Sequence, residues 1–174
     1  SNVETSYLSK KIVNNYSDSR FDERLLTGCK TLIDTKIINS SLTIDGCTDE
    51  DSINFIRSEG FNNIIYVKNS KYDSVDLDFS NLFFKEIKIE NSGNDCLDVS
   101  GGIYNIQYLY GKTCEDKGIS VGEKSQVSIN NLEIFDSKIA FALKDSSILH
   151  ITKGKFDNNK IWGEIYNKKQ EFNY

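Results

Sequence analysis

Acidic side chains recur along this chain at a spacing that would stack them. Asp73 and Asp95 are 22 residues apart, and Asp76 and Asp98 are separated by the same step. Lys117 extends the first column. A neighbouring column carries Asp78, Ser100, Gly122 and Lys144, with Glu123 and Asp145 beside it and Asp116 next to Lys117. If one step corresponds to one strand spacing, like carboxylates lie about 5 Å apart and repel by about 1 kcal/mol in water. Three chemistries would answer that repulsion. A hard cation such as Ca²⁺ takes several oxygen ligands. A carbohydrate-binding or acid/base site also uses carboxyls, about 5–5.5 Å apart in a retaining glycosidase. In the third, corner carboxylates accept backbone amides of the next turn while Lys117, Lys144 and Lys168 neutralise the remainder.

The elements that would position these residues show up as an internal repeat. Positions 53, 75, 97, 119, 141 and 163 hold Ile53, Val75, Leu97, Ile119, Phe141 and Gly163. Two residues further on, Phe55, Leu77, Val99, Val121, Leu143 and Ile165 keep the same phase. Eleven of these twelve are apolar against 38% in the whole chain, and the i, i+2 spacing is that of one face of a strand. Further columns run through Ile65, Ile87 and Leu109, through Val127 and Leu149, and through Leu132 and Gly154. The register slips by one residue between Gly101 and Gly111.

Such strands are too short and too evenly spaced for crossover helices, and no two-residue hairpin turn separates matched strands. A leucine-rich repeat would use a Leu consensus, whereas these columns mix Ile, Val, Phe and Leu; a β-sandwich would need the missing hairpins. The pattern predicts an all-β, right-handed parallel β-helix, a solenoid of about 22 residues per coil and about seven coils. The absence of Pro fits a backbone committed to ladders. Residues 28–174 form this domain. Residues 1–27, with Val3, Tyr7, Leu8, Ile12, Val13 and Tyr16 at near-helical spacing, form an N-terminal cap or an irregular first coil. At the other end, the chain is a piece of a larger protein or its last segment folds back as a cap.

The motifs Ser52-Ile-Asn-Phe, Asp73-Ser-Val-Asp-Leu-Asp-Phe-Ser80, Asn94-Asp-Cys-Leu-Asp-Val-Ser-Gly-Gly102, Asp116-Lys-Gly-Ile-Ser-Val-Gly-Glu123, Ala142-Leu-Lys-Asp-Ser-Ser147 and Tyr166-Asn-Lys-Lys-Gln-Glu-Phe172 follow one another at coil spacing. Over roughly 28–172 they resemble the bacterial β-helix domain of CotH-like surface and spore-coat proteins. More broadly they are similar to the pectin-lyase-like superfamily. That resemblance implies carbohydrate contact and leaves the reaction open. It carries no catalytic residue across. Asp95 is followed by Cys96, not a second Asp, the single histidine lies in Leu149-His-Ile, and the arginines Arg20, Arg24 and Arg57 fall outside the acidic columns.

Composition removes other classes. A net charge of −5, pI of about 5.0 and no basic cluster speak against a nucleic-acid backbone binder. No apolar run reaches the roughly 20 residues that span a bilayer. The chain opens on Ser1-Asn2 without Met or signal-peptide segment, which reads as a processed terminus. Cys29, Cys47, Cys96 and Cys114 repeat an 18-residue spacing; two local disulfides of an exported protein and buried free thiols both fit it. No cysteine–histidine zinc pattern occurs, so no metal is assigned through sulfur. His150 should point outward. Tyr104, Tyr108, Tyr110, Trp162 and Tyr166 are candidate sugar platforms, with Trp162 better placed to cover the last coil.

The expected function is an extracellular or cell-surface β-helix module that contacts polysaccharide without catalysis. Its candidate binding residues are Asp73, Asp76, Asp95, Asp98, Asp116, Lys117, Glu123, Lys144 and Asp145, with no cofactor except a Ca²⁺ ion under the first chemistry. The alternatives are a structural interaction domain that meets another protein domain, and a polysaccharide lyase or glycoside hydrolase.

Overall fold

A computed structural model describes residues 28–172. The cap or first coil expected over 1–27 lies outside the described residues. Twelve strands form one sheet system wound as a parallel β-helix of about six turns, close to the expected seven. In chain order they are β1 (Gly28–Ile33), β2 (Lys36–Ile38), β3 (Ser41–Cys47), β4 (Asp51–Ile56), β5 (Glu59–Ser70), β6 (Asp73–Ser92), β7 (Leu97–Cys114), β8 (Lys117–Gly122), β9 (Gln126–Phe135), β10 (Ile139–Lys144), β11 (Ile148–Asp157) and β12 (Ile161–Tyr166). One wall stacks β1-β4-β6-β7-β8-β10-β12. The other stacks β2 and β3 on β5, then β6, β7, β9 and β11.

Every pairing is parallel, and the registers reproduce the apolar columns. Ile53 pairs with Val75, Val75 with Leu97, Leu97 with Ile119 and Ile119 with Phe141. The first four of these are fully buried. Each such side chain contributes about 1.5–3 kcal/mol by leaving water, and the turn over 73–94 buries Val75, Leu77, Leu82, Phe84, Ile87 and Ile89 in this way. The register slip is real, and a further irregularity lies between Gly60 and Ile64 where β5 meets β6. Ser100 pairs with Gly122 but Ile103 pairs with Gln126, so the extra residue falls in the bend at 123–125, facing Gly101 and Gly102.

The bends are made by residues with positive φ that recur once per turn. Asp34, Arg57, Phe79 and Gly101 form one such column, and Asn69, Asn91, Thr113, Asp136 and Asn158 another. Asn and Asp enter this conformation more easily than other residues with a side chain, which accounts for their abundance at the corners. The Asn side chains also bond along the stack: Asn69 donates to Asp45 at 2.6 Å, Asn91 to Asn69 at 3.1 Å, and Asn158 to Asp136 at 2.6 Å.

Serine hydroxyls fasten the next corner. Ser58 Oγ accepts the Thr35 amide at 3.2 Å, Ser80 Oγ the Ser58 amide at 2.8 Å, and Ser147 Oγ the Ser125 amide at 3.1 Å. Gly102 occupies the next position in that series. A Cβ there would lie 2.2 Å from the Ser80 carbonyl, and the residue has φ +87°, so only glycine fits.

Two inward columns meet at a third corner: Cys29, Ser52, Ser74, Cys96 and Cys47, Ser70, Ser92, Cys114. The structure decides between thiols and disulfides. Cys29–Cys47 and Cys96–Cys114 are both bonded, with Cα–Cα separations of 6.2 and 5.4 Å. Between them the serines take over: Ser52 and Ser70 share a hydrogen bond at 2.6 Å, and Ser74 donates to Ser70 at 2.9 Å.

The last turn is exposed. Trp162 and Ile165 are 69% and 78% accessible although they continue the Ala140 and Leu143 columns. Trp162 packs against Phe156, ring centres 6.1 Å apart. Residues 167–172 turn back beside the stack: Asp145 Oδ1 accepts the amides of Lys168 and Lys169 at 2.6 and 2.8 Å, and the Lys169 ammonium pairs with Glu123.

Candidate functional site

Strand alternation puts Asn54, Asp76, Asp98, Ser120 and Ala142 in one row on the outer side of the first wall. The row points away from the apolar columns, as the sequence requires, yet it is largely shielded from solvent. Asn54 is 5% accessible, and Ser120 and Ala142 are 0%.

The flanking carboxylates act mainly as corner fasteners. Asp73 Oδ1 accepts the Asp95 amide at 2.7 Å and the Asn94 side-chain amide at 2.8 Å. Asp95 Oδ1 accepts the Lys117 amide at 3.0 Å and lies 3.3 Å from its ammonium. Asp116 is bound by both Lys117 and Lys138. Lys144 Nζ approaches Asp98 at 3.8 Å. Glu123 pairs with Lys169 while Lys168 contributes only its backbone, so the expected neutralising lysine is one residue further along. Asp73, Asp95, Asp98, Asp116, Lys117 and Lys144 thus each bond or pair with another candidate residue, whereas Glu123 and Asp145 are bonded by Lys168 and Lys169; Asp95, Lys144 and Asp145 are buried.

Burial governs the protonation of this wall. It pushes Asp73 up to about 7 even though two N–H donors favour the anion, and the charges of Asp95 and Asp98 add to the effect. Asp95 is raised to about 6, burial outweighing the pull of Lys117. Asp78 is raised to about 6, and Asp76 stands well above the ordinary carboxyl range, through burial and then the charges of Asp78, Asp51 and Asp98. Burial works against the Lys117 charge, but its bonds to Asp116 and Asp95 prevail and raise its pKa. Two buried polar atoms here have no hydrogen-bond partner, Asn54 Oδ1 and Ser120 Oγ.

The outer side of the second wall is different in kind. Tyr66, Lys88, Tyr110, Glu133 and Lys155 form one row across five strands, and Glu86, Tyr108, Asn131 and Lys153 form the row beside it. All are partly or fully exposed. Tyr110 packs on Phe135 at 5.7 Å, Lys88 lies 5.3 Å over the Tyr110 ring and Lys155 5.1 Å over Phe135. Lys68 and Lys88 both pair with Glu90, at 3.1 and 3.0 Å, and Tyr66 donates to Glu86 at 3.1 Å. The result is a flat, solvent-facing sheet on which four aromatic rings stand among charges. Tyr108 and Tyr110 fit a sugar-platform role here. Tyr104 does not, because it points inward and is 0% accessible. Tyr66 lies two coil steps before Tyr110 in the same row, and Phe135 stacks on Lys112, two residues along from Tyr110.

His150 is exposed, as expected from its apolar neighbours. Cys29, Cys47 and Asp49 lie together, but the sulfurs are joined to each other and offer no thiolate. Among the described residues no helix is long and apolar enough to cross a membrane. The chain matches no protein-family model, no curated protein and no solved structure.

Proposed function

We propose that this chain is an exported or surface-associated β-helix module that holds polysaccharide on its second wall and performs no chemistry on it. The observation that carries this reading is the group Tyr66, Tyr108, Tyr110 and Phe135, set in adjacent rows of a rigid, exposed sheet. Aromatic faces stack on the C–H side of sugar rings, and the surrounding Lys and Glu side chains supply hydrogen bonds to hydroxyls. Parallel rows about 4.8 Å apart suit an extended polymer better than a compact metabolite. Two disulfides fit an oxidising, extracytoplasmic setting. Of the first-wall carboxyls, Asp51, Asp95 and Asp145 are too shielded to meet a polymer directly.

Isothermal titration against a panel of neutral and acidic polysaccharides tests the reading. Tyr108→Ala/Tyr110→Ala should weaken binding by about tenfold or more while leaving the melting temperature near that of the parent. Silence across the panel, or binding that the double substitution does not alter, refutes it.

One observation favours a second reading, a structural interaction domain. The apolar columns run out to an exposed last turn, where Trp162 and Ile165 offer apolar surface to another protein domain. Crosslinking through a cysteine placed at Lys160 would separate the two.

A further inference from the structure

The two walls carry their charges in opposite ways. On the first, like sits beside like: Asp51 pairs in register with Asp73, and Asp76 with Asp98. On the second, no two like charges are neighbours along any of the three outward rows. One row reads Asp45, Lys68, Glu90, Lys112, Phe135 and Asp157 from β3 to β11. The next sets Lys88 between Tyr66 and Tyr110, and Glu133 beside Lys155. In the third, Tyr108 and Asn131 separate Glu86 from Lys153. Lys153 and Lys155 adjoin along β11, but Lys155 has Glu133 next to it in its row and Asp157 on its own strand.

The rows thus hold five lysines, Lys68, Lys88, Lys112, Lys153 and Lys155, and five carboxylates, Asp45, Glu86, Glu90, Glu133 and Asp157. All ten are half-buried or exposed. The wall is neutral although the whole chain carries −5. Glu90 is shared by Lys68 and Lys88, at 3.1 and 3.0 Å, and Glu86 accepts the Tyr66 hydroxyl at 3.1 Å. Lys88 and Lys155 also rest over the rings of Tyr110 and Phe135, which answers part of their charge. Opposite charges alternating every 4.8 Å or so, about one strand spacing, cancel at longer range and exert no net pull on a polyion.

Resting on the reading that this wall holds polysaccharide, we infer that the polymer is uncharged. A hydroxyl both donates and accepts, so ammonium donors interleaved with carboxylate acceptors can satisfy one hydroxyl after another. A uronate or sulfate group only accepts. It would gain from Lys88 or Lys112 but be repelled by Glu86, Glu90 and Glu133 around the same rings. It would also approach a chain whose overall charge has its own sign.

The test uses the whole chain and three uncharged polymers, hydroxyethylcellulose, guar galactomannan and soluble starch, each beside its carboxymethyl derivative. Calorimetry is run at about 50 and about 500 mM NaCl, between which the screening of exposed charges changes severalfold. We expect at least one uncharged polymer to bind, with its affinity changing by less than about twofold between the two salt concentrations. Its carboxymethyl derivative should bind about tenfold more weakly or worse in low salt. Glu90→Gln leaves Lys68 and Lys88 without their shared carboxylate; it should tighten the carboxymethyl derivative severalfold, with an affinity that falls as salt is raised. A carboxymethyl derivative that matches its uncharged parent, a steep loss of uncharged-polymer binding in high salt, or no effect of Glu90→Gln would each overturn the inference. If Tyr108→Ala/Tyr110→Ala still weakens that binding, the second-wall reading survives the loss. Silence from all six polymers defeats both.

Discussion

The Tyr104 hydroxyl accepts the Ser80 amide at 3.0 Å and donates to the Leu77 carbonyl at 3.1 Å, both on the preceding turn. It stands in for a missing serine. Ser58 and Ser80 each fasten the turn before them with a hydroxyl, and the position that follows in the series is Gly102, which has none. The phenol reaches back from two residues further on and closes the gap. Tyr104→Phe keeps the ring in the core but strands a buried donor and acceptor. It should destabilise the chain by about 1–3 kcal/mol in urea unfolding. A loss below about 0.5 kcal/mol would mean that the fastening adds nothing.

The Cys and Ser pairs at the third corner occupy equivalent places. Ser52 Oγ lies 2.6 Å from Ser70 Oγ, and their separation in sequence, 18 residues, is that of both native disulfides. Ser52→Cys/Ser70→Cys should therefore form a third bridge without moving the backbone. It should stabilise the chain by up to about 3 kcal/mol relative to its reduced form. Mass spectrometry under non-reducing conditions reads the bond, and a free-thiol product would show that the column is not equivalent.

Stability should decline as the solution goes from mildly acidic to neutral. Asp73 rises from an ordinary 3.8 to about 7 and Asp95 to about 6 on folding, so both hold a proton more tightly when folded. Their contribution is complete below 3.8 and is lost as pH climbs through about 6 and then about 7. Asp34 and Glu90 act in the opposite sense, held low by Arg57 and by Lys88 with Lys68, but these pairs are exposed and weak. Melting curves in chelator across this interval should show the fall. Asp73→Asn keeps the Oδ1 acceptor for the Asp95 amide and should flatten its upper part; an unchanged slope would contradict the assignment.

Two neighbouring apolar columns predict a contrast between two chemically identical substitutions. Ile119 is 0% accessible in the middle of the stack, whereas Ile165 is 78% accessible on the last strand. Ile119→Ala should cost about 2–5 kcal/mol and Ile165→Ala within about 0.5 kcal/mol. Equal losses in denaturant titration would mean that the last turn is covered in solution.

The columns were legible in the sequence because a period of two inside a period of 22 leaves little freedom. Val75, Leu97 and Ile119 had to be vertical neighbours once the strands were parallel. Direction was also legible: Asp76 and Asp98 point away from the core. What alternation cannot state is whether an outward row meets water, so Ser120 and Asn54 gave no sign of their burial. Tyr104 was ambiguous for a related reason. Its ring suits either face, and consecutive positive φ values at Gly101 and Gly102 set which face it takes. The disulfides were half legible. Eighteen residues fall four short of the 22-residue step, and only the corners at 48–50 and 115–116 show how the chain bends between strands to bring the two sulfurs together. Lys169, beyond the repeats, had no column to reveal it.

Apart from the Lys144–Asp98 and Lys169–Glu123 pairs, which span two turns, each turn of this stack rests on the turn before it and the turn after it. A load applied along the axis therefore meets the rungs in series, and they should detach singly from the exposed Trp162 end. Each detachment of 22 residues would lengthen the chain by about 75 Å. The turns bridged by Cys29–Cys47 and Cys96–Cys114 would lengthen far less, because 18 of their residues are short-circuited by sulfur. The two cross-links thus act as mechanical stops, one at the first described turn and one midway along the rod.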